Sequence, residues 1–189
     1  DRTVKQYGTD YIELDCPGEE ILLQFSGSPT VPVLPISSGD NHFMWSNRAD
    51  GSVTRLGREF DLTGVSAPIT LHYETWYDLE VDYDYVYLLA SIDGENWQII
   101  STPSCSRQNV SGNNYGCGYN GYSGGWIEQE VDLSAYAGKK VTLSFEYVTD
   151  EAVTAEGFLL DNIQLDALNY QSDFESDDGG WLPEGFVNI

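Results

Sequence analysis

The chain has 189 residues, of which 31 are acidic and only 8 are basic, so its formal net charge is −23 at pH 7. A surface this acidic repels nucleic-acid phosphates and anionic lipid headgroups, which excludes both as partners. Hydrophobic residues make up 41% and aromatic residues 13% of the chain, which is enough to build a core and too much for a disordered acidic tail.

The first 36 residues predict short strands that flank a larger domain. Tyr11-Ile12-Glu13-Leu14 and Ile21-Leu22-Leu23-Gln24-Phe25 are β-like runs, separated by an Asp-Cys-Pro-Gly turn. The Pro-rich segment 29–35 cannot lie in a central strand, because each proline removes a ladder donor. We therefore predict that residues 1–36 are the end of a preceding β module or N-terminal flanking strands.

Residues 37–166 predict an all-β domain, an antiparallel β-sandwich. Alternating apolar and polar residues recur between turn signals, as in 141–147, and helical periodicity is almost absent. Strands without intervening helices indicate a sandwich or jelly roll. The predicted strands are 43–46, 58–62, 69–77, 85–91, 97–100, 126–131, 141–147 and 158–165.

The acidic segment 167–189 does not continue this pattern. It is either a C-terminal extension that folds back on the sandwich or the start of a following module, and we favour the second. The chain begins without Met or a signal peptide, so we expect a processed or internal piece of a longer protein. No stretch approaches 18 consecutive apolar residues, so no membrane span is expected.

The three cysteines predict one disulfide. Cys105 and Cys117 lie in the Ser-, Asn-, Gly- and Tyr-rich loop 101–125, and a bond that closes such a short loop is geometrically easy. Cys16 then has no partner, and we expect it to be a buried thiol.

The segment between residues 78 and 84 predicts a calcium site. Its four acids alternate, so an extended backbone would project them from one face, where they repel unless a cation lies among them. Calcium suits such a set because it takes six to eight oxygens in flexible geometry. Two further acids in later loops could add oxygens, and the alternative is a solvated acidic turn. The candidate ligands are Asp78, Glu80, Asp82, Asp84, Asp150 and Asp161.

Aromatic side chains in the long loop could form a stacking platform for sugar rings, although Tyr and Trp are also ordinary core and rim residues of sandwiches. The candidates are Tyr115, Tyr119, Tyr122 and Trp126. Catalytic motifs are missing. Neither His42 nor His72 lies in an H-E-x-x-H pattern, so no zinc site is expected, and we predict that the chain is not an enzyme.

Several motifs together resemble a region of immune inhibitor A metallopeptidases, which are secreted bacterial zinc proteases. The resemblance runs in consistent order from about residue 40 to 166, downstream of the catalytic domain in those proteins. The matching segments are Trp45-Ser46-Asn47-Arg48, Phe60-Asp61-Leu62-Thr63-Gly64, residues 76–85, Ser91-Ile92-Asp93-Gly94 with Trp97, Ser123-Gly124-Gly125-Trp126, residues 131–138 and Gly157-Phe158-Leu159-Leu160-Asp161-Asn162-Ile163.

The resemblance implies a jelly-roll-like accessory domain of the MAM or galactose-binding type, with calcium in a structural role. We therefore expect a non-catalytic, extracellular module that serves as a spacer or as a substrate- or surface-binding domain, with neighbouring domains of the same polypeptide as partners. One alternative is a carbohydrate-binding module that engages a glycan or protein at the cell surface. Another is a structural subunit of a surface layer or fibre that assembles by exchange of its terminal strands.

Overall fold

Strands supply nearly all of the regular structure in this protein. A computed structural model describes residues 9, 11–13, 18, 22, 24, 26, 32–36, 39 and 41–189, and the chain divides into two units, 1–35 and 36–189. The described residues of the first unit lie in no strand or helix, including Tyr11–Glu13, for which we predicted a strand. Most of the other predicted strand, 21–25, and the predicted thiol Cys16 lie outside the described residues.

The second unit forms two antiparallel sheets in its described part. The strands are β1 (Met44–Trp45), β2 (Val53–Asp61), β3 (Thr70–Asp78), β4 (Tyr85–Ser91), β5 (Gln98–Ile100), β6 (Ile127–Asp132), β7 (Lys140–Val148), β8 (Gly157–Leu165), β9 (Tyr170–Ser172), β10 (Leu182–Glu184) and β11 (Val187–Asn188), with short 3₁₀ helices at Ser134–Tyr136 and Asp166–Leu168. One sheet has the order β11-β1-β8-β3-β6, with β9 also pairing with β8, and the other has the order β10-β2-β7-β4-β5. This arrangement confirms the predicted antiparallel, jelly-roll-like β-sandwich.

The core lies between the inner faces of the two sheets. Along β7, alternate residues from Val141 to Tyr147 are fully buried, while Thr142 and Glu146 lie on the outer face and are partly exposed. Side chains alternate in the same way along β3, so Leu71 and Tyr73 both lie in the core. The alternation in the sequence therefore specifies which face of each strand is buried.

The C-terminal segment completes the sandwich. Strands β9, β10 and β11 pair with β8, β2 and β1, so both sheets gain strands from it. Phe174, Trp181 and Phe186 are buried in the main core. In the structure, residues 167–189 fold back on the sandwich. This is the first of our two interpretations of the segment and not the one that we favoured, which was the start of a following module. The strand-exchange hypothesis then depends on residues 1–36, most of which lie outside the described residues.

The long loop after β5 covers part of the outer face of the five-stranded sheet. Cys105 and Cys117 form a disulfide, with their Cα atoms 5.2 Å apart. Tyr87 of β4 lies beneath the loop and is 1% exposed, and its hydroxyl donates to Asn114 Oδ1 at 3.1 Å. A Cβ at Gly118 would lie 2.7 Å from Tyr87 Cε1, so only glycine permits this close approach. The loop leaves the β2 and β7 side of this face uncovered.

Candidate metal site at one end of the sandwich

The turn between β3 and β4 brings two acids of the predicted run together. The backbone amides of Tyr83 and Asp84 both donate to the carbonyl of Glu80, at 3.4 and 3.2 Å. Asp82 has a φ of 70°, in the left-handed region that reverses the chain direction. The segment is therefore a turn and lacks the extended backbone that the alternation argument required, so the chain reversal brings Glu80 close to Asp84.

Asn120, in the long loop, fixes this turn through its side-chain amide. Its Nδ2 donates to the carbonyls of Glu80 at 3.0 Å and Asp84 at 2.8 Å. Its Oδ1 accepts from the amide of Asp82 at 3.1 Å. Asn120 therefore positions the acidic turn without belonging to it, and we did not predict this role. The sequence signal was weak, since Asn120-Gly121 reads only as a turn.

Carboxylate oxygens of Glu80, Asp84 and Asp150 all lie within 4.8 Å of one another. Asp150 comes from the loop between β7 and β8, which lies at the same end of the sandwich as the β3–β4 turn. Two unit charges at this separation repel by about 3 kcal/mol at an effective dielectric constant of about 20. Among the described residues, none of the three forms an ion pair with a basic side chain.

Asp84 is the deepest member of the cluster, with an exposed fraction of 1%. Its Oδ1 accepts from the amide of Asp150 at 3.0 Å, and its Oδ2 accepts from the hydroxyl of Tyr147 at 3.1 Å. Burial raises the pKa of Asp84 to about 6, against the lowering effect of these two hydrogen bonds. Burial, together with the negative charge of Asp84, raises the pKa of the Tyr147 phenol, which therefore stays a donor.

Glu80 presents the strongest sign that the cluster accommodates a ligand. Its Oε2 is buried and has no hydrogen-bond partner in the described part of the chain. Burial, Asp150 and Asp50 all raise the pKa of Glu80. A buried oxygen without a partner costs free energy, and a cation between Glu80, Asp84 and Asp150 would remove both this cost and the repulsion.

The other three predicted ligands lie outside this group. Asp78 ends β3 opposite Gly157 of β8, and Asp82 lies at the tip of the turn. Asp161 lies four residues further along β8 than Gly157, about 13 Å away at the usual rise per residue. It accepts from Asn41 Nδ2 at 3.0 Å and from the Asn162 amide at 2.7 Å. The sheet geometry therefore separates Asp161 from the cluster.

The predicted sugar platform does not form as one surface. Tyr119 is fully buried, and its hydroxyl lies 2.6 Å from that of Tyr73 in the core, so its assignment to a ligand surface is wrong. It is buried because the chain pairs with Val86 of β4 at this point and directs Tyr119 inward, as Val86 is directed.

The other three aromatic residues are exposed and each packs on a different neighbour. Tyr115 and Tyr122 are 70% and 62% exposed, and Trp126 is 38% exposed. The neighbouring rings are Tyr87 for Tyr115, Trp76 for Tyr122 and Phe43 for Trp126. Tyr87 belongs to the five-stranded sheet and Trp76 to the six-stranded sheet, so Tyr115 and Tyr122 lie against different sheets.

Comparison with known proteins identifies the family of this sandwich. The family model described as immune inhibitor A-like, MAM domain, matches residues 26–188, which includes all eleven strands. The chain belongs to the immune inhibitor A-like MAM domain family. The match extends through the C-terminal segment, which agrees with the pairing of β9, β10 and β11 within the sandwich.

Three relatives place the MAM domain within larger proteins. The chain is 30% identical over 135 residues to the pre-pro-metalloprotease PrtV of Vibrio cholerae, covering 71% of this chain and 14% of that protein. It is 32% identical over 124 residues to immune inhibitor A of Bacillus thuringiensis, covering 65% and 17%. Bacillopeptidase F of Bacillus subtilis is 31% identical over 101 residues, covering 53% and 6%. The MAM domain therefore spans less than a fifth of each relative.

Proposed function

We propose that this MAM domain is a non-catalytic, extracellular accessory module that a calcium ion stabilises at the Glu80, Asp84 and Asp150 cluster. The observation that carries the proposal is the buried, unpartnered Glu80 Oε2 within a cluster of three carboxylates. The role of the ion is structural, since it joins the β3–β4 turn to the β7–β8 loop. The module serves as a spacer or as a substrate- or surface-binding domain beside neighbouring domains of the same polypeptide.

Calcium suits the cluster better than a transition metal or magnesium. The three side chains offer only carboxylate oxygens, which hard cations prefer, and no Cys or His belongs to the group. Magnesium demands near-ideal octahedral geometry, whereas calcium accepts irregular oxygen sets and keeps bound waters. Ligands from a turn and a separate loop provide such an irregular set.

Two observations support an extracellular location beside a protease domain. The disulfide between Cys105 and Cys117 is of the kind that forms in oxidising compartments. Relatives that contain this domain are named as proteases, and one of them is a pre-pro-metalloprotease.

No helix in the described part of the chain is long and apolar enough to cross a membrane.

The pH dependence of stability is expected to differ with and without calcium. In chelator, the raised pKa of Asp84 means that the folded state holds its proton up to about pH 6. The stabilisation that protonated Asp84 contributes to the folded state is therefore fully present below the ordinary aspartate pKa and is lost as the pH rises through about 6. Calcium requires the carboxylate, so the stabilisation that it gives is expected to shrink from pH 7 to pH 5.

Urea unfolding at pH 5, 6 and 7, in calcium and in chelator, measures this difference directly. A calcium-dependent gain that stays constant over this range would contradict the involvement of Asp84.

The non-catalytic role is tested by incubating the purified chain with casein in buffer that contains calcium and zinc. We expect no more acid-soluble peptide than in a buffer blank, since neither His42 nor His72 lies in an H-E-x-x-H pattern. Peptide release that follows the protein through successive chromatography steps would overturn the proposal.

A further inference from the structure

The outer face of the five-stranded sheet contains a groove across β2 and β7. Antiparallel pairing places Gly57 of β2 opposite Ser144 of β7, and Glu59 opposite Thr142. Directly opposite residues share a face, so Gly57, Ser144 and Thr142 form a floor of small residues beside Glu59. The groove has a volume of about 320 Å³.

Gly57 leaves the centre of this floor open. A Cβ built there would contact only the Leu143 carbonyl oxygen, at an ordinary 3.7 Å. The glycine is therefore not required for packing within the sheet, and a larger side chain at position 57 would point into the groove. The depth of the groove depends on the absence of that side chain.

The walls are apolar and exposed. Trp97 directly precedes β5 and is 42% exposed, and Leu182 begins β10 and is 73% exposed. β5 and β10 are opposite edges of the sheet, four strand spacings or about 19 Å apart. An extended ligand could therefore lie across the strands, with the indole at one end.

The charged side chains of the groove are already paired. They are Arg55, Glu59 and Glu184, because Arg58 points to the opposite face of β2, where its guanidinium lies 3.9 Å from the centroid of the Tyr170 ring. Arg55 pairs with Glu146 and, at 3.8 Å, with Glu184, and Glu59 pairs with Lys140 at 3.5 Å. These paired groups favour neither a cation nor an anion as the ligand.

We propose that this groove binds a short, uncharged oligosaccharide, with one sugar ring stacked on Trp97. An exposed aromatic face, hydroxyls on the floor and paired charged groups at the rim match the apolar face and the many hydroxyls of a sugar ring. The proposal goes beyond the stabilising role of calcium and requires no ion. It differs from the platform predicted from the sequence, because it uses none of those four aromatic residues.

Isothermal titration calorimetry with defined hexasaccharides tests the proposal. The uncharged probes are cellohexaose, maltohexaose, mannohexaose and chitohexaose, together with an uncharged N-glycan core that represents glycoprotein sources. Hexagalacturonate and chitosan hexamer are the charged probes. We expect at least one uncharged probe to bind, in calcium and in chelator alike, and the charged probes to bind at least tenfold more weakly.

Variants assign any binding to the groove. Trp97→Ala is expected to weaken it at least tenfold, and Gly57→Leu to abolish it with an unchanged far-ultraviolet circular dichroism spectrum. Trp126→Ala is the matched control, because Trp126 has a similar exposure of 38% and packs on Phe43, which precedes β1 of the other sheet. The proposal is overturned if no uncharged probe binds, if Trp97→Ala binds as tightly as the wild type, or if Trp126→Ala causes an equal loss. These outcomes leave the calcium site untouched, since melting experiments test that site separately.

Discussion

Replacing Trp181 with alanine is expected to lower the free energy of unfolding by about 3–5 kcal/mol. The side chain is 1% exposed, and its ring centroid lies 5.9 Å from those of both Phe60 and Phe145. Its Nε1 also donates to the Tyr170 hydroxyl at 3.0 Å. Alanine would leave a large cavity between the sheets and remove the main contact that holds the C-terminal segment.

Differential scanning calorimetry is expected to show this loss as a Tm lower by about 6–20 °C. Leu182→Ala is the matched control, because Leu182 is the next residue and is 73% exposed, so its replacement should change the stability by less than about 0.5 kcal/mol. Equal effects of the two substitutions would show that residues 167–189 do not complete the core.

Calcium is expected to raise the Tm of the wild-type chain by about 5–10 °C relative to chelator. An ion that binds only the folded state stabilises it by about 2.7 kcal/mol at about 100 times its dissociation constant. Each kcal/mol corresponds to about 2–4 °C for a domain of this size. The gain arises because the ion separates three carboxylates that otherwise repel and gives Glu80 Oε2 a partner.

Asp84→Asn separates this explanation from general screening of the acidic surface. The substitution removes one charge from the cluster, so the variant in chelator should be at least as stable as the wild type, while its gain from calcium should disappear. Glu95→Gln, at an exposed position in the turn before β5, should keep the full gain. A calcium-dependent gain in Asp84→Asn equal to that of the wild type would contradict the site.

The sandwich could be predicted because its strands carry their own pattern. The predicted strands 141–147 and 85–91 lie within a residue of the observed limits of β7 and β4. Alternating apolar residues indicate a strand that is buried on one face, and a continuous apolar run indicates one that is buried on both. The C-terminal strands could not be predicted in this way. β10 contains Pro183, which is tolerated at a sheet edge, and its pairing with β2 joins residues more than 120 positions apart.

The candidate site was predictable only in part, for a similar reason. The local concentration of acids identified the segment, but chain reversal at Asp82, not alternation, selected Glu80 and Asp84. The contribution of Asn120 depends on a loop that crosses the turn, and no local pattern encodes such a contact. Likewise, the groove beside Trp97 could not be predicted from the sequence around that residue, because the groove depends on small residues of β2 and β7 that are distant in sequence.

The most direct test of the calcium proposal is terbium luminescence of the purified, chelator-treated chain. Terbium replaces calcium at oxygen sites, and the Tyr147 hydroxyl lies 3.1 Å from Asp84 Oδ2, close enough for an excited tyrosine to sensitise the bound ion. We predict tyrosine-sensitised emission that saturates at one ion per chain, is displaced by calcium and is lost in Asp84→Asn. Emission that is absent, or equally strong in Asp84→Asn, would contradict a metal site at this cluster.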